Sequence, residues 1–305
     1  MSAKSELLER VRYIKNALEI YRITDIPISD ENSDIHNGVA NLLRKGLGIV
    51  AFNILEDFIK NKTEEVLEQL SPLIPFESLP QALQDSGIDA LKALSLRANI
   101  LKINGGDYKG LIVNEVLKIG SIQSPEYKLS KYSFFHNNSN ISIHDINHLL
   151  KSFGVTGGWT LLKQISDAIY GGVVDLCEAY KNMERLRHKA AHSASFLYEY
   201  SVLSNIYSEI ISISASFDIV LNAKLRKLKR LGEFTEKDTL TEELAYRFLV
   251  KEDGFYKYKT RLNGRSIKNW DSLNLALEYY NAEYRYKNKF FIIIIENNRL
   301  VDWYF

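Results

Sequence analysis

The segment from Asn182 to Phe196 reads NMERLRHKAAHSASF, and eight of its residues hold Arg185, Arg187, His188, Lys189 and His192. Upstream, residues 173–189 have helical periodicity, with Val174, Cys177, Tyr180 and Met183 on one side. Downstream, residues 195–230 place Leu203, Ile206, Ile210, Ile213, Phe217 and Leu221 at helical spacing. The crowded charges therefore fall at the junction of two helices. One explanation is local, because basic side chains in a last turn complement the negative end of the helix dipole. The other is chemical. A guanidinium fork grips phosphate oxygens, and an imidazole moves a proton near neutral pH.

Working outward, a long helical pattern runs from about Asn37 to Leu70, carrying Val39, Leu42, Leu43, Val50, Ile54, Phe58 and Leu67. The prolines of SPLIPF end it, since proline cannot donate the next helical hydrogen bond. Before it, residues 4–22 predict an amphipathic helix with Leu7, Leu8, Val11, Ile14, Leu18 and Tyr21 on one side. After it, residues 78–120 predict shorter helices broken at NGGDYKG. Residues 124–140 predict a loop. Ser142 and Asp145 form a capping-box start for a short helix that Gly154 stops. A further helix starts near Gly158 and breaks at YGGVV (170–174).

Beyond about residue 232 the composition changes. KEDGFYKYKTRLNGR holds Asp-Gly and Asn-Gly turn pairs, DSLNLALEYYNAEY predicts a helix, and KFFIIIIENNRLVDWYF predicts two strands around an Asn-Asn turn. The expected fold is mainly α with a small C-terminal α+β domain. An N-terminal helix and connector take residues 1–30, a helical domain 31–232, and the accessory domain 233–305.

The bulk numbers narrow the function classes. A net charge of +1 over 305 residues gives no global pull toward nucleic acid, so any such attraction is local. The single cysteine, Cys177, excludes an internal disulfide and a multi-cysteine zinc site. The charged start and the lack of a span-length apolar run predict a soluble, cytoplasmic protein with no membrane association.

Taken together, RHKAAH (Arg187 to His192) at a helix junction and the long helix LLRKGLGIVAFNILEDFIK resemble the HEPN superfamily. SISIHDINHLLKSFGV followed by LLKQISDAI is most similar to its RiboL-PSP-type branch. The resemblance spans roughly residues 35–225 and departs from the family pattern at His188, where asparagine is common, and at Ser193, where glycine is common. It implies a HEPN-type helical bundle, a homodimer and a metal-independent endoribonuclease without cofactor. It implies that the 2′-hydroxyl attacks the phosphate, leaving a 2′,3′-cyclic phosphate. His192 would handle the proton, Arg187 would stabilise the transition state and Glu56 would orient one of them. His188, Lys189 and Arg185 would contact RNA. A toxin or anti-phage role, a translation-linked RNA such as tRNA and an antitoxin or regulatory protein follow from the same resemblance. The rival is a non-catalytic HEPN-type scaffold that binds nucleotide, RNA or protein.

Other motifs point less clearly. His144 and His148 have a one-face metal spacing without a third ligand. Glu56 could equally pair with Lys60. KLRKLKR (224–230) is either an RNA-backbone stripe or a solvated helix end. FYKYKTR and YYNAEYRYKNKFF interleave aromatic and basic residues, which suits base stacking as well as strand packing.

Overall fold

A computed structural model describes residues 1–135, 140–235, 240–284 and 290–305, with backbone only for 282–284. In chain order the elements are α1 (Ala3–Leu18), α2 (Ser33–Leu67), α3 (Gln81–Ile103), α4 (Tyr108–Gly120), α5 (Ile143–Ser152), α6 (Gly158–Ala168) and α7 (Leu176–His192). They continue with α8 (Tyr200–Leu203), α9 (Ile206–Leu231), β1 (Tyr246–Glu252), β2 (Phe255–Lys259), β3 (Lys268–Trp270), α10 (Leu273–Tyr284), β4 (Phe291–Glu296) and β5 (Arg299–Tyr304). The fold is mainly helical with a small mixed sheet near the C-terminus. Two compact units emerge: Met1–Leu55, Trp159–Val220 and Thr241–Phe305 form the first, Glu56–Gly158 and Leu221–Leu240 the second.

In the first unit the sheet has the order β3-β2-β1-β4-β5, with β1 and β4 parallel and every other pair antiparallel. Asp253-Gly254 and Asn297-Asn298 turn the two tight hairpins with positive φ throughout, from 49° to 85°. That is the backbone a two-residue turn needs to match strand twist. Leu249, Ile292 and Ile294 pack with Ala276 and Tyr280 of α10 on one sheet face. Phe248, Val250, Ile293 and Trp303 are buried on the other. The Trp303 indole N–H donates to Asp218 Oδ2 of α9 at 2.7 Å. Burial on both faces explains why Ile292–Ile295 is an unbroken apolar run.

In the second unit α3 and α4 meet through Ala90, Leu94 and Ile119, with Leu111 and Tyr132 alongside. The break between them uses Gly105 at φ 73° and the Asp107 cap of α4. Ser142 and Asp145 form the expected capping box of α5. The basic run 224–230 differs from expectation. Lys224 is buried with its ammonium 4.7 Å from the Phe234 ring centre, and only Lys229 and Arg230 are exposed, so it is neither an open stripe nor a wholly solvated end.

Four further expectations change. The helix predicted over 195–230 is interrupted, because residues 193–199 cross as a loop before α8 and α9. Val174 lies outside α7, which Asp175 caps, and Cys177 is only partly buried. In α2, Ile54, Phe58 and Leu67 are buried as their spacing suggests, yet Val39, Leu42, Leu43 and Val50 face outward. Ser33–Leu67 and Tyr200–Leu231 are moreover long and apolar enough to span a membrane, although 83% of the second window is buried in the protein. The basic-aromatic run at residues 285–289 lies outside the described residues.

Candidate functional site

The Arg-His cluster occupies the last two turns of α7. Asp175 caps this helix by accepting from the Glu178 N–H at 2.9 Å, and Ala179, Tyr180 and Met183 bury its inner face. Phe52 of α2 and Trp159 of α6 meet the Tyr180 ring at 5.5 and 5.4 Å between centroids. At about 100° per residue, Arg185, His188, Lys189 and His192 then share one face. All four are exposed. The imidazoles of His188 and His192 stand 4.7 Å apart between centroids, and Lys189 lies 5.9 Å from the Phe196 ring centre. Arg185 donates to Asn182 Oδ1 at 2.8 Å.

Arg187 is placed differently. It stands about 140° around the helix from His192, is half-buried, and its Nε has no hydrogen-bond partner among the described residues. One helix end therefore presents two imidazoles and two cations together, with the second guanidinium turned aside.

The loop that follows is fastened to α2. Lys45 donates to the carbonyls of Ser193 and Ala194 at 3.0 and 2.8 Å. Asn41 accepts from the Tyr198 N–H at 2.8 Å and donates to the Phe196 carbonyl at 3.1 Å. Arg44 donates to the Tyr198 carbonyl at 2.5 Å and pairs with Asp25 at 3.0 Å. Gly48 completes the seat, because a Cβ there would stand 2.4 Å from Tyr198 Cε2. The spacing of α2 signals a helix but not that Asn41, Arg44 and Lys45 would turn inward to hold this loop.

Glu56 is buried in the second unit, where its Oε1 accepts from the Ile141 N–H at 2.5 Å. That bond gives it a structural duty. His144 and His148 are exposed on α5. Among the described residues no group of three His, Cys, Asp or Glu could hold a metal ion.

A groove of about 470 Å³ opens at the other end of α7, lined by Tyr170–Asp175, Glu178, Asn182, Glu209 and Arg299 among others. Burial pushes the Glu209 carboxyl up to about 7. The groove wall is tight at Gly171, whose carbonyl accepts from Ser212 Oγ at 2.6 Å and whose added Cβ would meet Ser166 Oγ at 2.4 Å. Glu209 could have been flagged from its position among Ile206, Ile210 and Ile213; Arg299 carries no such signal.

Comparison with protein-family models, curated proteins and solved structures finds no match for this chain.

Proposed function

We propose that the chain is a metal-independent endoribonuclease of the HEPN type, active as a homodimer in the cytoplasm and serving in toxin action or anti-phage defence. The observation that carries this is the exposed face of α7 on which Arg185, His188, Lys189 and His192 stand together. The cations neutralise phosphate charge, and paired imidazoles suit proton transfer at a reacting hydroxyl. In the proposed step the 2′-oxygen attacks phosphorus while His192 takes its proton. The bond from phosphorus to the 5′-oxygen breaks, and the partner subunit's His192 protonates the leaving oxygen. The products are a 2′,3′-cyclic phosphate and a 5′-hydroxyl. Arg187 would stabilise the phosphorane. Because it diverges from His192 within one subunit, two copies are needed to bring both groups to one phosphate.

That divergence also favours the second reading, an RNA-binding or protein-binding scaffold without chemistry. Incubating the purified protein with total RNA and tRNA in EDTA separates the two. Cutting that is abolished by His192→Ala and Arg187→Ala, with binding kept, is expected. Intact RNA with the wild type, or cutting by His192→Ala, overturns the nuclease.

A further inference from the structure

The first half of α2 is inside out. Ile35, Val39, Leu42, Leu43 and Val50 are 73, 43, 69, 43 and 49% exposed. The only other exposed positions from 35 to 50 are Gly38 and Gly46. Arg44 and Lys45, the charged residues of that stretch, are buried. A helix with its charges inward and hydrocarbon outward is not arranged for water. Its open face amounts to on the order of 500 Å² of apolar surface, the scale that marks an interaction site and a large part of the roughly 800 Å² each partner of a stable interface buries.

We propose that a second copy of this chain covers this face, the two α2 helices pairing antiparallel about a two-fold axis at Leu42. An isologous interface must be complementary to itself, and this one is. Gly38 and Gly46 each stand four residues from Leu42, and a Cβ added at either meets nothing within 4 Å among the described residues. The axis sets Gly38 of one copy against Gly46 of the other, so the backbones approach closely while Leu42 packs on itself. The uncharged face offers no attraction to an acidic or basic partner and no repulsion between copies. A lipid surface fits less well. Helices that lie on membranes keep basic residues on their polar face for the headgroups, whereas Arg44 and Lys45 are engaged with the carbonyls of residues 193, 194 and 198.

One consequence rests on the ribonuclease reading. Lys45 holds the end of α7 three residues from Leu42, so the axis lies beside the cluster. Antiparallel pairing sets both α7 ends on the same side of the helix pair. At the usual 8–10 Å between packed helices they stand on the order of 20 Å apart, a cleft that one RNA strand can enter from both copies.

Sedimentation of the full chain at tens of micromolar tests the surface. The wild type is expected to be a dimer and Leu42→Glu a monomer with unchanged helicity. In a Cys177→Ser background, Leu42→Cys is expected to cross-link to its own copy under mild oxidation, and this second variant carries the test if Leu42→Glu misfolds. A monomeric wild type, a dimer that survives Leu42→Glu, or a wild type that is monomeric and floats with phosphatidylcholine–phosphatidylglycerol vesicles overturns the proposal. RNA cutting is read in parallel. Its loss together with the dimer supports the shared cleft, and its survival in the monomer upholds the surface but removes the cleft. A dimer that never cuts RNA overturns the nuclease reading alone.

Discussion

Lys45 of α2 donates to the carbonyls of Ser193 and Ala194, the two residues that follow His192 at the end of α7. Lys45 is 9% exposed, and its ammonium, satisfied by these backbone carbonyls, is the fastening that sets where the cluster ends. Lys45→Met keeps the aliphatic stem and removes both bonds. Hydrogen bonds to charged groups contribute about 1.5–3 kcal/mol, and a loss near 2 kcal/mol in urea unfolding is expected. An unchanged midpoint would show that the loop holds itself.

Gly48 is required by Tyr198, whose ring occupies the space of any Cβ. Gly48→Ala forces the loop or the ring aside, and overpacking of this kind costs about 1–3 kcal/mol. Tyr198→Leu in the same chain should recover part of the loss. Thermal unfolding of the single and double variants measures the coupling, and purely additive effects would place the strain elsewhere.

The exposed face of α7 should behave as a phosphate contact. Arg185→Ala and Lys189→Ala, both at exposed positions, are each expected to lower the slope of log affinity against log salt by about one. Their melting temperatures should be unchanged, since surface substitutions stay within about 0.5 kcal/mol. Filter binding to a single-stranded RNA at several salt concentrations reads the slope, and parallel lines for wild type and both variants would remove RNA from this face.

Glu209 makes stability depend on pH. Burial raises its folded value to about 7 from 4.5, so the folded chain holds more protons than the unfolded chain between those values. Its contribution is therefore present at low pH and lost as pH rises through about 7. Glu209→Gln stays neutral throughout. At pH 8 the variant should be more stable by on the order of 1–3 kcal/mol, less where solvent screens the carboxylate. At pH 4 the two should agree. Equal pH slopes from pH 4 to 8 would show that the carboxylate is solvated.

Much of the framework was legible along the chain because its signals are local. The Ser142–Asp145 box, the Asp253-Gly254 and Asn297-Asn298 turns and the apolar run of β4 each state a backbone conformation within a few residues. The junction after α7 was legible, but the length of the loop that makes it was not. Residues 195–205 keep helical spacing, but Asn41, Arg44 and Lys45 bind the carbonyls and an amide of 193–198 that a continuous helix would have used itself.

Periodicity reports that two faces of a helix differ, and the residues of α2 and α7 state as much without any fold. Which face turns inward depends on what is packed against it. Ionic side chains go inside when a neighbouring loop offers them carbonyls, as Arg44 and Lys45 show, and the hydrocarbon at Leu42 and Leu43 is then left outside. Arg187 and His192 obey the same limit: their order in the chain is plain, but the helical turn between them sends one into the fold and leaves the other in water.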